Sequence, residues 1–520
     1  MNRVTKQIAK LVGINPVAWI RNTFRMHARI KAFAKLSPNK GSANIRFAII
    51  ITPWQGTSVP WFTLAVGLLL AKEGNDTVFV LDGFPFGDRA LRYKFVLFCL
   101  NSAMRLLRRS FDVVKLSSDK TTKSLDASAH SCIANLAELN AIWELRGEML
   151  TAGRRQFIAR SVQQLSAAYT PIAEFLRDGK FEAIFVPGGV YGTSGIWVEH
   201  ARANNIRINS FDAGGYGTAM FACDGIACRL QDIPSAYRLL TSSEATDAAR
   251  TFAIATALAE LDQRRAGLDI FASQIKGTGG ADSRYDGAIL IALNSSWDAA
   301  ALGLHTVFDN NMQWIVETTR YLLAETTATV IVRQHPAERL EIAHTSDNYR
   351  ELLSSHFGSN PRIIFIAADE AINSYYLLDR VAAIVAYTST IGIEAAALGK
   401  PVVTQARSYY SDLGFVWKAT RRKEYEEYLK AAACGELKVT AEMRVNAQLC
   451  YYLTQCCNWV FSPFNPSDMH EWSRMELVHW QRNDSVRRVL QSIQNNIPVS
   501  YLNHVDKHIA ELAKSSPDFK

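Results

Sequence analysis

The stretch "VAAIVAYTSTIGIEAAALGKPVVT", residues 381–404, decides how this chain is read. Val381 to Tyr387 is a short apolar run suited to a buried strand, and Thr388-Ser389-Thr390 opens a turn. Ile391 to Leu398 reads as a short helix, and Gly399-Lys400-Pro401 stops it before Val402 begins another strand. Strand, helix and strand in so short a space predict a crossover unit, the only economical way to join parallel neighbours.

The same alternation extends in both directions. Upstream lie "AILIALNSSWD" (288–298), a helical pattern over 311–325, "ATVIVRQHP" (328–336) and "RIIFIA" (362–367). A separate series occupies the first half: a strand at Ile45 to Ile51, a helix from Trp61 to Lys72, and a strand at Thr77 to Gly83. After it come "FEAIFVPGG" (181–189), a helix to about Ala203, and "IRINSFDAGG" (206–215). Strands that end in glycine-rich loops and alternate with helices predict parallel sheets with ligand sites at the carboxyl edges. The mostly helical stretch 235–275 and the glycine-rich "KGTGGADSRYDG" (276–287) separate the two series.

The expected fold class is therefore α/β, with two tandem Rossmann-like domains facing a cleft. The boundaries read as a basic arm over 1–40, an N-terminal Rossmann-like domain over 41–280 with a helical insert, a C-terminal Rossmann-like domain over 281–460, and C-terminal helices over 461–520 that pack back on the first domain.

Composition fits a folded chain. It has 520 residues, 48% of them hydrophobic and 20% charged, enough to bury more than one core. The eight cysteines form no CxxC pair and no Cys/His set at zinc spacing, so no metal is expected and the thiols read as small hydrophobes. No signal-peptide pattern is visible, and the longest apolar run, Trp61 to Ala71, falls short of the ~20 residues of a membrane span. A cytoplasmic location is expected.

Charge is unevenly distributed. Residues 1–40 carry nine Lys or Arg and no Asp or Glu, against a net +8 for the whole chain, so residues 41–520 sum to −1. Val4, Ile8 and Leu11, then Trp19, Met26, Ile30 and Phe33, recur at helical spacing, with Asn15-Pro16 as a helix start. A basic amphipathic helix suits the inner-membrane surface as a peripheral contact. A helix packed on its own protein is the other reading. The rest of the chain has no basic stripe interleaved with aromatics, so no nucleic-acid partner is expected.

The loops at the strand ends carry the chemistry. Free N–H groups at a helix start, with the hydroxyls of Thr388, Ser389 and Thr390, make a cradle for a phosphate, unless Ser389 or Thr390 is simply an N-cap. Gly392 would let a ligand approach the backbone. Glu394 either complements the helix dipole or accepts from ribose hydroxyls. His335 can donate to a phosphate, Arg333 adds positive charge, and Pro336 keeps His335 extended. Ser295, Ser296 and Asp298 are further donor contacts.

Taken together, "VRQHPAER" (332–339) and "TSTIGIEAAALGKPVVTQARSYYSDLGF" (388–415) resemble the capsule polysaccharide synthesis family of GT-B glycosyltransferases, which includes β-Kdo transferases. His335-Pro336, Ser389-Thr390, Gly392, Glu394-Ala395, Gly399-Lys400-Pro401, Tyr410 and Gly414 carry the resemblance. It spans roughly residues 285–420, and bacterial sialyltransferases share similar His-Pro and Ser/Thr motifs. The resemblance implies a GT-B-like architecture and transfer of a sugar from a nucleotide-sugar donor, CMP-linked as with Kdo, to a glycan or lipid-linked glycan acceptor. It gives His335, Ser389 and Thr390 the donor nucleotide and its phosphate. The sequence contains no Asp-x-Asp, in keeping with a metal-independent, inverting displacement without cofactor.

The base is expected from the first domain. Asp82 in "VLDGFPFGD" comes first; it partly resembles an acidic motif of the sialyltransferases, although Leu81 stands where the first acid would be. Asp212 and His200 are alternatives. Trp54 and Gly56 in "TPWQGTSVPW", and Gly188, Gly189 and Tyr191 in "VPGGVYGTSG", would shape an acceptor pocket, since flat aromatics stack on sugar rings; tight strand-to-helix turns explain the same glycines. Two other functions remain open: a nucleotide-sugar 2-epimerase, which would want a Gly-Gly-x-x-Glu-Glu segment where "STIGIEAA" stands, and a non-catalytic, membrane-attached assembly subunit.

Overall fold

The computed structural model describes residues 15–35, 45–54, 57–85, 90–117, 124–149, 151–214, 218–268, 282–295, 302–461 and 476–515. The chain is mixed α/β and divides into two compact units. The first is Met1–Asn140, Gln156–Asp232 and Asn458–Asn503; the second is Ala141–Arg155, Ile233–Cys457 and His504–Lys520.

In the first unit the strands are β1 (Arg46–Ile51), β2 (Asp76–Asp82), β3 (Asp112–Leu116), β4 (Ala183–Pro187), β5 (Arg207–Ala213) and β6 (Thr218–Ala222). The sheet order is β6-β5-β4-β1-β2-β3, with the short strand Val460–Phe461 beyond β6. From β3 to β5 all pairings are parallel, and β6 pairs antiparallel with both of its neighbours. β1 is apolar and buried from Phe47 to Ile51, the pattern of a strand covered on both faces. The helix Val59–Lys72 is buried from Pro60 to Leu70 and lies close on the sheet at Gly67. A Cβ there would stand 2.7 Å from the Phe79 ring and 2.8 Å from Ile49.

The helix Pro16–Phe33 begins as expected: Asn15 caps it, its Oδ1 accepting from the Ala18 N–H at 3.1 Å, with Pro16 in the first turn. Its Trp19-Met26-Ile30-Phe33 stripe, however, packs inward. Trp19 meets Trp61 at 5.6 Å between ring centroids, Phe33 meets Trp480 at 6.4 Å, and Arg29 lies 5.4 Å over the Trp480 ring. That stripe is core, and the membrane expectation does not apply to it.

The second unit holds β7 (Ile289–Ala292), β8 (Val330–Arg333), β9 (Ile363–Ile366), β10 (Ala383–Ala386), β11 (Val402–Thr404) and β12 (Trp417–Lys418). Every pairing is parallel, in the order β9-β8-β7-β10-β11-β12. The chain winds outward one way from β7 to β9 and the other way from β10 to β12. This is the doubly wound Rossmann order, and its switch point lies between β7 and β10.

The division differs from the sequence boundaries. The helices Ile233–Thr241 and Asp247–Arg265 join the second unit, not an insert of the first. Ala249, Ala253, Ala257 and Leu261 form a buried stripe on the second of these, small enough for close packing on the helix Ala441–Tyr451. Of the glycine-rich segment 276–287, residues 276–281 lie outside the described residues, and Ser283–Tyr285 form one 3₁₀ turn.

Candidate functional site

In a doubly wound sheet the ligand crevice opens at the carboxyl ends of the strands beside the switch point. In the second unit those ends are Leu293-Asn294-Ser295 after β7, Gln334-His335 after β8 and Tyr387-Thr388-Ser389 after β10. The Thr388 N–H donates to Asn294 Oδ1 at 3.3 Å, tying two of these loops together. Since β7 lies between β8 and β10, the His335 and Ser389 loops start about 10 Å apart, two strand spacings.

His335 is fixed in both conformation and tautomer. It is extended at φ −63° and ψ 126°, as the following proline requires. Its Nδ1 accepts from the Ala337 N–H at 3.2 Å, so the ring proton resides on Nε2. Burial, with Arg333 and Arg264 nearby, lowers its pKa to about 4. The imidazole is thus neutral at physiological pH and presents one N–H donor. Gln334 braces the loop, its Nε2 donating to Glu338 at 2.6 Å and its Oε1 accepting from the Ala368 N–H at 3.3 Å.

The helix that follows β10 runs from Thr390 to Ala397. Ser389 occupies its N-cap at φ −63° and ψ 141°, and no side chain caps the helix. The simple N-cap reading of Ser389 therefore fails; the Gly392 N–H donates to the Ser389 carbonyl at 3.0 Å, and the N–H groups of Thr390 and Ile391 keep their capacity for an anion. Thr388 and Thr390 flank it, both half-buried.

Three expected donor contacts have other work. Arg333 is buried, and its guanidinium donates to the carbonyls of Ala367 and Ile372, the latter at 3.1 Å, so it anchors the loop after β9. Gly392 serves packing: a Cβ there would stand 2.6 Å from the Tyr410 hydroxyl, which donates to the Ser389 carbonyl at 3.2 Å. Glu394 is buried beyond the first helical turn and pairs with Arg264, Oε1 to Nε 3.1 Å. Arg264 also donates to Gln455 Oε1 at 2.9 Å, and Glu394, after burial itself, pushes the Tyr375 pKa up.

The structure adds two groups that the sequence reading missed. Arg264 reaches the site from the helix Asp247–Arg265; its position three residues past buried Leu261 was a sequence signal that it shares that helix's inner face. His305 stacks on Tyr387 with 4.2 Å between centroids. Its Nδ1 lies 2.7 Å from Gln405 Nε2, while Gln405 Oε1 accepts from the Thr306 N–H at 3.4 Å. His305 therefore also carries its proton on Nε2, and burial lowers its pKa to about 4. A single histidine in a loop gave no periodic signal.

In the first unit the switch point lies between β1 and β4. Trp54, after β1, is half-buried, and Gly188, after β4, sits at φ +66° with nothing within 4 Å of where a Cβ would stand. Gly189, at φ +95°, faces Ile226, and Tyr191 is buried and so offers little ring face to a sugar. Gly56 lies outside the described residues, as do Ser296 and Asp298, while Ser295 Oγ donates to the Ala343 carbonyl at 3.1 Å.

Asp82 is fully buried. Its Oδ2 accepts from Thr193 Oγ1 at 2.5 Å and Trp197 Nε1 at 2.9 Å, and its Oδ1 accepts from the Phe84 N–H at 3.2 Å. Burial raises its pKa against these three donors. A carboxylate so enclosed joins β2 to the start of the helix Ser194–Ala203 and has no open approach for an acceptor hydroxyl, which corrects its expected role as base. His200, six residues into that helix, lies about 9 Å along the axis from its start and packs edge-on to Tyr169. Asp212 Oδ1 accepts from the adjacent Ala213 N–H at 2.7 Å.

Residues 254–445 match the family model described as "Capsule polysaccharide biosynthesis protein". No curated protein sequence matches the chain. Among solved structures, the Thermosulfurimonas dismutans KpsC β-Kdo 2,4-transferase is 16% identical over 52% of this chain and 79% of that one, with a TM-score of 0.35. A UDP-N-acetylglucosamine 2-epimerase from Listeria monocytogenes is 13% identical over 87% and 96%, with a TM-score of 0.25. Acinetobacter baumannii MurG is 10% identical over 87% and 99%, with a TM-score of 0.26. Likeness at this level does not choose among activities.

Proposed function

Taking as premise that residues 254–445 belong to the capsule polysaccharide biosynthesis family, we propose that this protein is a GT-B glycosyltransferase. It transfers a sugar from a nucleotide-sugar donor to a surface-glycan or lipid-linked glycan acceptor. The observation that carries this reading is the pairing of a neutral His335, its Nε2–H available as donor, with the uncapped helix start at Ser389, at the switch point of the second unit.

In the proposed reaction the acceptor hydroxyl oxygen attacks the anomeric carbon as its O–H bond breaks and the proton passes to solvent water, the bond from that carbon to the donor phosphate breaks, and the nucleotide leaves with the electron pair. His335 Nε2–H, the Ser389 hydroxyl and the N–H groups of Thr390 and Ile391 hold the departing phosphate, assisted by Thr388. Pro336 keeps the imidazole aimed. Removing one preorganised donor of this kind costs about 10²–10³ in rate. Arg333, Gly392 and Glu394 hold these loops in place. The acceptor belongs to the first unit, at Trp54, Gly188 and Gly189. The donor is a CMP-linked sugar such as Kdo, and the reaction inverts the anomeric carbon without a metal; this part rests on the resemblance of the His-Pro and Ser/Thr loops.

Calorimetry with CMP, CDP, UDP, UMP and GDP against the wild type and His335→Ala tests the donor assignment. Preferential CMP binding that is lost in the variant is the expected result. Preference for UDP, with epimer formation from a UDP-sugar, would replace the transferase by a 2-epimerase; failure to bind any nucleotide would favour an assembly subunit.

A further inference from the structure

Although the Trp19-Met26-Ile30-Phe33 stripe is core, the opposite face of the same helix is open and apolar in its first turns. Val17 is 52% exposed, Ile20 44% and Phe24 67%. They share one face by helical spacing.

The neighbouring helix Ala90–Leu107 repeats the arrangement. Leu91 is 61% exposed and Phe98 72%, seven residues apart like Val17 and Phe24. The two helices run parallel and in register. Thr23 lies against Cys99, and His27 Nε2 lies 3.2 Å from Ser102 Oγ one turn further along both. Phe24 therefore stands level with Phe98, and Val17 level with Leu91, two turns earlier. The exposed side chains form one patch across two helices rather than isolated surface hydrophobes.

Charge indicates what covers it. Over residues 16–35 and 90–111 the sequence has ten Lys or Arg and no Asp or Glu. Beyond the apolar turns the same two faces continue into exposed Lys31 on one helix and Arg105 on the other, with exposed Lys35 and Arg109 just past the two helix ends and Arg21 and Lys94 at the side. An exposed apolar patch continued by basic residues of both helical stretches complements a surface that is apolar inside and anionic at its border.

We propose that this two-helix face docks the protein on an anionic bilayer, with Phe24 and Phe98 entering the acyl boundary and the basic residues meeting lipid phosphates. The proposal goes beyond glycosyl transfer and does not depend on it.

The test is flotation of the full chain with phosphatidylcholine vesicles, alone or containing phosphatidylglycerol, at two salt concentrations. Three chains are compared: the wild type, Phe24→Asp/Phe98→Asp, and Arg3→Glu/Lys6→Glu/Lys10→Glu. Circular dichroism melting checks folding, and sedimentation gives the oligomeric state. The wild type is expected to float only with phosphatidylglycerol and to be released by salt. The phenylalanine variant should melt like the wild type and bind at least tenfold more weakly. If it binds like the wild type, or if the variant of residues 3, 6 and 10 alone abolishes binding, the face is not the anchor. A wild-type dimer that the phenylalanine variant converts to monomer, without vesicle binding by either, would assign the face to a second copy of the chain and overturn the proposal. Should the phenylalanine variant misfold, Arg105→Glu/Arg109→Glu takes its place, with the same expectation.

Discussion

A single backbone N–H decides what His335 can do. Because Ala337 donates to Nδ1, the ring has one tautomer, and because burial lowers its pKa to about 4, it stays neutral. Nucleotide affinity should therefore show no histidine titration between pH 6 and 8, measured by calorimetry across that range; an affinity that rises as pH falls through 6.5 would mean that the imidazole binds as a cation. The linked effect on stability has a definite sign. The unfolded chain binds the histidine's proton at about 6.5 and the folded one only at about 4, so this contribution is lost as pH falls through that window. Arg264 acts through Glu394. Arg264→Ala removes the guanidinium that neutralises the buried Glu394 carboxylate and should cost about 3–5 kcal/mol in urea denaturation, whereas Arg264→Met/Glu394→Leu should recover most of it. His335 and Ser389 were legible because the loops carrying them follow apolar strands directly. Arg264 pairs with Glu394 from far along the chain, and no local pattern encodes such a contact.

At the scale of elements, the helix Thr390–Ala397 separates structural from ligand roles. An N-cap serine replaced by alanine costs about 1 kcal/mol. Ser389 makes no capping bond, so Ser389→Ala should shift stability by less than ~0.5 kcal/mol while weakening nucleotide binding. A loss of stability without a loss of affinity would restore the N-cap reading. Gly392→Ala does the reverse: its Cβ would crowd the Tyr410 hydroxyl, costing about 1–3 kcal/mol, and Tyr410→Phe in the same chain should return part of it. The sequence pattern found this element to within a residue, because strand, stop and helix signals are all local. It gave the glycine to a ligand, because only the fold brings Tyr410 against it.

On the scale of the molecule, Glu148 links segments distant in the chain. Its carboxylate accepts from the N–H groups of Asn311 and Met312, at 3.2 and 3.3 Å, while its own N–H donates to Asp347 Oδ1 at 2.9 Å. Burial raises its pKa to about 7, against an ordinary 4.5. The folded state thus holds a proton that the unfolded state releases, and stability is lost as pH rises from 4.5 through 7, by up to about 3 kcal/mol for this group. Glu148→Gln should keep one of the two bonds at the helix start, through its Oε1, and flatten that slope. Urea midpoints for both chains at pH 5 and pH 8 measure it, and parallel losses in the two would exclude the group.

What the sequence by itself determined is the succession of strands and helices, their division into two α/β series, and the loops at the strand ends. Side-chain period, glycine and proline stops and turn residues act over a few residues, and they suffice for that. Only the tertiary structure decided which face of the helix Pro16–Phe33 is core, that Asp82 is enclosed by Thr193 and Trp197, and that the helix Asp247–Arg265 belongs to the second unit. Burial and charge pairing depend on what packs from elsewhere in the chain, and an amphipathic or acidic residue is compatible with either environment until that neighbour arrives.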